Sequence, residues 1–208
     1  MPPSVPVPPE PREAAPLRIG VLASQGDFAA HAEMLGGLGA EPVPSRTPED
    51  LRSLDGLVIP GGESTTITKA IERDGLASAI RAHAEGGRPI LGTCAGMIVC
   101  DEGHLGLLDA TARRNAFGRQ LHSFEVDLAV KGLGPDPIRA VFIRAPWISR
   151  HGPEVEVLAE HDGHPVVVRQ GSVLACAFHP ELTEDARIHA LLMAMVSEAA
   201  GREAERAQ

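Results

Sequence analysis

The chain alternates between short apolar runs and amphipathic stretches, and these segments have the lengths of strands and helices. In the first half, residues that favour turns follow each apolar run, as expected for buried parallel strands. Between the runs, apolar side chains recur every three or four residues, which is typical of helices that cover a sheet. The predicted strands are residues 17–22, 41–44, 56–59 and 89–93. One predicted helix covers residues 28–38, the next runs from a cap at Ser64 or Thr65 to Asp74, and another covers residues 76–85.

The second half has a different pattern, in which apolar and polar residues alternate one by one. This period of two, with glycine and proline between the runs, indicates antiparallel strands and hairpins. A last apolar run precedes a helix that Thr183 is expected to cap, with Glu184 and Asp185 in its first turn. The segments are 124–130, 155–159, 165–169 and the strand 173–178, followed by a helix with the apolar stripe Ile188, Leu191, Leu192 and Met195.

The order of these segments predicts an α/β fold. Strands and helices alternate first and a strand-rich part follows, so we expect a three-layer sandwich with a central mixed, mostly parallel sheet and extra strands at one side. Residues 17–198 are predicted to form one domain. The proline-rich segment 1–16 is predicted to be a disordered tail, and residues 199–208 a polar C-terminal tail.

Composition and charge narrow the classes of function. The formal net charge of −9 argues against a nucleic-acid or anionic-membrane partner, and 3% aromatic residues leave few platforms for stacking bases. The 3 cysteines are too few for a disulfide framework and favour a reducing compartment. The sequence shows neither a signal peptide nor a long apolar span, so we expect a cytoplasmic protein.

Cys94 has the setting of a catalytic nucleophile. The sequence Gly-Thr-Cys-Ala-Gly at 92–96 lies between a predicted strand and a predicted helix, which is the sulfur version of a nucleophile elbow. The small residues permit a sharp turn, and the following helix N-terminus favours the thiolate form. The alternative is that Cys94 is a small buried hydrophobic residue.

His179 and Glu181 are the candidates for the base and for the acid that orients it. They follow the last apolar strand, so they are expected at the carboxyl edge of the sheet, where open α/β sheets bind ligands. His179 could take the thiol proton and Glu181 could stabilise the imidazolium. A histidine in this position can also be a surface or capping residue, and His122 is the rival base.

A third loop, the glycine loop Pro-Gly-Gly-Glu-Ser at 60–64, also follows a predicted strand. Adjacent glycines can direct backbone N–H groups at an oxyanion, although a Gly-Gly pair is usually only a turn. A metal site from Cys94, Cys100 and His104 does not have standard zinc spacing, so we expect neither a metal nor a cofactor.

The glycine loop, the cysteine elbow and the His-x-Glu motif, in this order, resemble class I (triad) glutamine amidotransferases. Further segments narrow the resemblance to the glutaminase subunits of pyridoxal 5′-phosphate synthase, over residues 17–198. The segments are Gly-Val-Leu at 20–22 with Gln25 and Gly26, Pro-Gly-Gly-Glu-Ser-Thr-Thr at 60–66, Gly-Thr-Cys-Ala-Gly at 92–96, Arg114 and Asn115 with Phe-Gly-Arg-Gln at 117–120, Phe-Ile-Arg-Ala-Pro at 142–146 and Phe-His-Pro-Glu-Leu-Thr-Glu-Asp at 178–185.

The resemblance implies a class I amidotransferase-like, or flavodoxin-like, fold and the hydrolysis of L-glutamine to L-glutamate and ammonia. Cys94 would form a glutamyl thioester, and His179 and Glu181 would complete the triad. An arginine fork suits the α-carboxylate of glutamine, and a carboxylate or a carbonyl suits its ammonium group. The oxyanion and glutamine contacts implied by the resemblance are Gly62, Glu63, Ser64, Ala95, Arg114, Ile143 and Arg144.

The resemblance also implies a partner, a separate synthase subunit that uses the ammonia to make pyridoxal 5′-phosphate in a hetero-oligomer. The loop at Gln25 and Gly26 is expected to take part in docking. Neither Lys69 nor Lys131 follows a strand end suited to a Schiff base. This agrees with the synthesis of pyridoxal 5′-phosphate taking place in the partner subunit. The rivals are another triad amidotransferase or cysteine hydrolase with a different acceptor, and a catalytically silent binding module.

Overall fold

A seven-stranded sheet is the frame of the molecule. The computed structural model describes residues 15–23, 28–117 and 123–206, with side chains to residue 205. The strands are β1 (Arg18–Leu22), β2 (Glu41–Ser45), β3 (Gly56–Ile59), β4 (Ile90–Thr93), β5 (Ala110–Arg113), β6 (Ser123–Leu128), β7 (Ile138–Ile143), β8 (Trp147–His151), β9 (Glu156–His161), β10 (His164–Gln170) and β11 (Val173–Cys176). The helices are α1 (Phe28–Gly37), α2 (Pro48–Leu51), α3 (Ser64–Arg73), α4 (Leu76–Glu85), α5 (Ala95–Cys100) and α6 (Arg187–Arg206), with a 3-10 turn at Pro180–Leu182.

The order of strands in the sheet brings three loops of the chain to one edge. The order is β2-β1-β3-β4-β11-β10-β9, with parallel pairing from β2 to β11 and antiparallel pairing of β10 with both its neighbours. Leu57 pairs with Ile90 and Ile90 with Val173, so β3, β4 and β11 are adjacent and in step. Their carboxyl ends therefore meet, although they are far apart in sequence.

Helices cover both faces of this sheet, so the predicted three-layer α/β sandwich is confirmed. The helices α2, α3, α4 and α5 contact one another, and α6 packs on β3. Every residue of β3, β4 and β11 is buried, which explains why these strands are continuous apolar runs in the sequence.

Two small two-stranded sheets, β5–β8 and β6–β7, flank the main sheet. Most of the few aromatic side chains gather around the second of them. Phe117 meets Phe142 and Trp147 edge to face, at centroid distances of 5.5 and 4.9 Å, and Phe142 stacks on Phe124 at 4.7 Å. Phe142 also lies 5.5 Å from Phe178, next to His179 in the chain, so the cluster joins the β6–β7 hairpin to the end of the main sheet.

Two predicted helix caps are wrong. The N-cap of α3 is Glu63, one residue before the predicted Ser64, because the longer Glu63 carboxylate reaches the N–H groups of Thr65 and Thr66. Thr183 does not cap α6, because the helix begins only at Arg187 and a bend and a turn occupy residues 183–186. Asp185 accepts the N–H of Arg187, the first residue of α6, at 3.1 Å.

Several elements differ from the sequence prediction. The prediction does not include α2, β5, β7 or β8, and α1 ends at Gly37. Residues 199–206, predicted as a tail, continue α6. Ala199 is buried there and the side chains of 200–205 are exposed. The predicted tail at 1–16 lies almost wholly outside the described residues, and it stays a prediction. None of the helices in the three described ranges is long and apolar enough to cross a membrane.

Candidate active site

Cys94 sits at a strained turn between β4 and α5. Its backbone has φ of 48° and ψ of −107°, in the region that favours glycine, and its N–H donates to the carbonyl of Cys176 on β11 at 2.8 Å. A Cβ at Gly96 would lie 2.0 Å from the carbonyl oxygen of Ile59, and one at Gly92 would lie 2.7 Å from the oxygen of Gly96. The two glycines therefore let α5 pack directly on β3 and β4, and this packing turns the thiol towards the sheet edge.

His179 and Glu181 face Cys94 from the neighbouring strand. His179 Nδ1 is 2.7 Å from Glu181 Oε1, and both residues are buried, with 7% and 6% of their surface exposed. The backbone N–H of His179 donates to the carbonyl of Val141 on β7 at 2.9 Å, which fixes the chain after β11. The imidazole therefore lies between a thiol and a carboxylate.

The surroundings of His179 favour its protonated form. Burial alone would lower the pKa of His179, but hydrogen bonds from the ring to Cys94 and Glu181, together with their negative charges, raise it to about 10. An imidazolium is thus available to protonate a leaving group at neutral pH.

Gly61 leaves the room that this arrangement needs. A Cβ at Gly61 would lie 2.6 Å from His179 Cε1 and 3.3 Å from the Cβ of Cys94. The glycine loop thus lies directly against two members of the predicted triad. Next to it, Gly62 has φ of 132°, which only glycine adopts readily.

An open cavity of about 350 Å³ leads to the thiol, a volume suited to a small molecule. The walls come from the glycine loop, the start of α5, the turn after β5 and the end of β7. The lining residues are Gly62, Glu63, Ser64, Cys94, Ala95, Ile98, Arg114, Asn115, Ile143, Arg144, Pro146 and His179.

The Glu63 carboxylate has a structural task as well as a place in the cavity wall. It accepts hydrogen bonds from the Thr66 hydroxyl at 2.7 Å and from the N–H groups of Thr65 and Thr66 at 3.0 and 2.7 Å. These bonds, first the one from the Thr66 hydroxyl, lower the pKa of Glu63 to about 2. Arg114 donates to Thr65 Oγ1 at 3.0 Å, so a fixed anion and a cation stand at the start of α3.

Ile143 and Arg144 form the opposite wall. Cys94 Sγ is 3.8 Å from the carbonyl oxygen of Ile143, and Arg144 has φ of 45°. A positive φ in a residue that is not glycine marks a backbone conformation that the surroundings impose. The aromatic cluster at Phe142, the residue before Ile143, packs this segment against the sheet.

Comparison with known proteins agrees with this arrangement. A family model described as the SNO glutamine amidotransferase family matches residues 21–198. The chain belongs to this glutamine amidotransferase family. It is 52% identical to a protein named pyridoxal 5′-phosphate synthase subunit PdxT in Acidothermus cellulolyticus, over 86% of this chain and 94% of that one.

Two further relatives of the family support the same conclusion. The protein of the same name in Streptomyces avermitilis is 52% identical, over 86% of this chain and 93% of that one. A solved structure described as a glutamine amidotransferase superposes with a TM-score of 0.80 at 47% identity, and covers 86% of this chain and 98% of that one.

The structure brings all the site residues inferred from the sequence to this one cavity or its floor. Glu181 lies behind His179, and the other nine line the cavity. The docking residues Gln25 and Gly26 and the rival base His122 lie outside the described residues, so those interpretations stay predictions. Within the described ranges, no group of three or more histidine, cysteine, aspartate or glutamate side chains could hold a metal ion.

Several residues in and around the site have no role predicted from the sequence. Ile98, Asn115 and Pro146 line the cavity, and the latter two belong to segments that carry the resemblance without an assigned role. His31 lies in the predicted helix 28–38, where the sequence indicates no role for it, yet its Nε2 lies 3.4 Å from Glu181 Oε2. A polar residue on the otherwise apolar face of Phe28, Ala32 and Leu35 is the signal that could have drawn attention to it.

Proposed function

We propose that this chain is a glutaminase that hydrolyses L-glutamine to L-glutamate and ammonia and passes the ammonia to a separate synthase subunit that makes pyridoxal 5′-phosphate. The observation that carries the proposal is the buried row of Cys94, His179 and Glu181 at the floor of an open cavity. Membership of a glutamine amidotransferase family and relatives named as subunits of pyridoxal 5′-phosphate synthase support the choice of substrate and partner.

Glutamine is oriented by charged side chains in the walls of the cavity. Its α-carboxylate pairs with the guanidinium groups of Arg114 and Arg144, which can bind a carboxylate through two parallel hydrogen bonds. Its ammonium group lies towards the ionised Glu63 carboxylate. This orientation directs the side-chain amide to Cys94, and the aliphatic part of glutamine packs along Ile98.

The first half of the reaction forms a thioester. The Cys94 thiolate adds to the amide carbon, and the carbonyl oxygen takes the negative charge next to the backbone N–H groups of Gly62 and Ala95. When the C–N bond breaks, the nitrogen takes the proton held by His179 and leaves as ammonia. The Glu181 carboxylate stabilises the imidazolium until that transfer.

The second half restores the enzyme. His179, now neutral, takes a proton from water while the water oxygen adds to the thioester carbon. The C–S bond then breaks, glutamate leaves, and the thiolate and the imidazolium are both regenerated. Neither half requires a cofactor, because the steps are proton transfers and the exchange of nitrogen, sulfur and oxygen at one carbonyl carbon, with no change of oxidation state.

We also propose that the partner docks over this cavity and that the complex works in the cytoplasm. Ammonia must pass from Cys94 to the synthase without mixing with bulk solvent, so the carboxyl edge of β3, β4 and β11 is the docking face. Docking can complete the oxyanion site by reordering a glycine loop, and one misdirected N–H donor reduces the rate roughly 10²–10³-fold. The isolated chain should therefore be a poor glutaminase.

The decisive experiment measures glutamate release at saturating glutamine, with and without the synthase subunit. We expect little release alone and at least tenfold more in the complex. Cys94→Ala should abolish the release, whereas pyridoxal 5′-phosphate synthesis by the complex continues when ammonium is supplied. Cys100→Ala is the matched control, because burial raises the pKa of that thiol to about 12 and keeps it inert.

Each rival function makes a different prediction for this assay. Equal rates with and without the partner would favour an independent cysteine hydrolase. A silent binding module would show neither release nor labelling of Cys94 by a diazo-ketone analogue of glutamine. Near wild-type release by Cys94→Ala would contradict the proposal.

A further inference from the structure

We propose that His31 is a positioning residue of the triad, which holds the second carboxylate oxygen of Glu181 through its Nε2–H group. Glu181 Oε1 faces His179, and Glu181 Oε2 faces His31 Nε2 at 3.4 Å. The side chains of His31 and Glu181 are both fully buried. Among the described residues Oε2 has no hydrogen bond by standard geometry, and His31 Nε2–H is the donor that faces it.

The bonds on the far side of His31 fix its tautomer. His31 Nδ1 lies 2.9 Å from Nε2 of His189 on α6, in a contact where one ring must donate and the other accept. If His31 carried its proton on Nδ1, its Nε2 lone pair would face a carboxylate oxygen. The opposite assignment, with His189 donating to His31 Nδ1, places the Nε2–H of His31 between Glu181 Oε2 and the Thr93 hydroxyl oxygen, and it is the assignment that gives Oε2 a donor.

His31 also remains neutral, which suits this task. Burial is the main cause that lowers the pKa of His31 to about 3, and any positive charge on His189 or His179 lowers it further. Burial also lowers the pKa of His189 to about 4, so this neighbour is neutral at pH 7. The groups that face its ring are Glu181, His189 and the Thr93 hydroxyl at 3.4 Å from Nε2. A neutral donor stabilises the Glu181 carboxylate without adding a second positive charge that would compete with the His179 imidazolium for it.

The result is a row of buried side chains from Cys94 through His179, Glu181 and His31 to His189. It ties the catalytic carboxylate to α1 and α6, which lie outside the cavity. A carboxylate bound at both oxygens cannot rotate away from His179. The contact of 3.4 Å is long for a hydrogen bond, and such bonds often shorten only when substrate is bound.

Two amide substitutions test the proposal in the complex with the synthase subunit. The terminal NH₂ of glutamine reaches the position of Nε2, so His31→Gln keeps a donor to Glu181. The side-chain amide of asparagine reaches only the position of Nδ1, so in His31→Asn the amide oxygen can accept from His189 and the contact with Glu181 is lost. His83, a fully buried histidine on α4 without a hydrogen bond to the triad in the described ranges, provides the controls His83→Gln and His83→Asn.

The measurements are kcat and KM for glutamine, the pH profile of kcat/KM and the thermal midpoint. We expect His31→Asn to lower kcat roughly ten- to hundredfold, a size typical of lost outer-shell contacts, with KM almost unchanged. The alkaline limb of its profile should move to lower pH, because a mobile Glu181 stabilises the His179 imidazolium less. His31→Gln should return the alkaline limb to its wild-type pH and restore most of kcat. Both His83 variants should resemble the wild type in kcat and in the position of the alkaline limb.

Equal losses in His31→Gln and His31→Asn with an unmoved alkaline limb would overturn the proposal, because that result indicates packing alone. Wild-type kcat in His31→Asn would overturn it as well. If His31→Asn does not fold, His31→Gln decides: a limb at the wild-type position supports the proposal and a shifted limb contradicts it. Glu181→Gln adds a second check, because the effect of His31→Asn should largely vanish in that background.

Discussion

The members of the proposed triad differ in what their loss should cost. His179 carries a proton in both halves of the reaction, whereas Glu181 only orients and stabilises it. We expect His179→Asn to reduce kcat nearly as much as loss of Cys94, by roughly 10⁴-fold or more, and Glu181→Gln to cost less. Steady-state glutamate release by the complex measures both. A larger loss in His122→Asn than in His179→Asn would reassign the base.

The raised pKa of His179 predicts an alkaline limit of activity. At pH values below this pKa, His179 carries the proton that leaves with ammonia. His179 loses that proton as the pH rises through about 10, so kcat/KM should fall there. In Glu181→Gln the imidazolium loses a charged partner, so the limb should move towards the ordinary histidine value of about 6.5. A profile of the variant that overlays the wild type would show that Glu181 does not support the imidazolium.

At the scale of single residues, the sequence predicted what is local and missed what is not. Cys94 and Glu181 stand in short motifs whose spacing already implies their geometry. The role of His31 depends on Glu181 and His189, which lie about 150 residues further along the chain. Only the packing of α1 against the end of β11 and the start of α6 brings them together, and no local pattern encodes that packing.

At the scale of elements, the glycine loop after β3 is part of the site because of its lack of side chains. We expect Gly61→Ala to lower kcat by roughly 10²-fold while the thermal midpoint changes little. The new Cβ would lie 2.6 Å from His179 Cε1, and the ring would have to move away from Glu181 and Cys94. Reacting groups displaced by about 1 Å lose roughly this factor.

The matched control is Gly36→Ala in α1, where an added Cβ meets nothing within 4 Å and a helix favours alanine. Its activity should equal that of the wild type and its thermal midpoint should not fall. Full activity in Gly61→Ala would mean that His179 has more freedom than its contacts indicate.

Whether the sequence predicts a strand depends on how deeply that strand is buried. Strands that are buried on both sides, such as β3, β4 and β11, are visible as apolar runs. The strands β5 and β8 exist because they pair with each other, with an irregular register between Thr111 and Ala112, and their own sequences are largely polar. In β7, the buried residues Ile138, Ala140 and Phe142 do alternate with more exposed ones, so that strand had a signal that was overlooked.

At the scale of the whole molecule, the order of strands decides where the chemistry lies. The sequence predicted that the elbow, the glycine loop and the His-x-Glu motif each follow a strand. It did not determine that β11 inserts next to β4, since that pairing joins residues far apart in the chain. The pairing is what sets His179 against Cys94 and gathers the flanking loops into a single face of the molecule.

The proposed docking face predicts a specific apolar contact. Among the residues that the structure describes, Leu182 is the large hydrophobic side chain left exposed, at 46%, and it follows Glu181 directly. Because about half of Leu182 is already buried, its burial on docking contributes about 0.7–1.5 kcal/mol, or roughly three- to tenfold in affinity. We therefore expect Leu182→Asp to raise the concentration of synthase subunit needed for half-maximal glutaminase activation by about that factor, with the thermal midpoint unchanged.

The control for this prediction lies at the opposite edge of the sheet. Arg202 on α6 lines a surface cavity together with Pro89 and Ser172, which precede β4 and β11. Arg202→Asp also introduces a carboxylate but should leave the activation curve in place. If Leu182→Asp and Arg202→Asp shift the curve equally, general charge repulsion explains the effect. If neither shifts it, the synthase docks elsewhere, and ammonia must then reach it by a route that does not start at the carboxyl edge of the sheet.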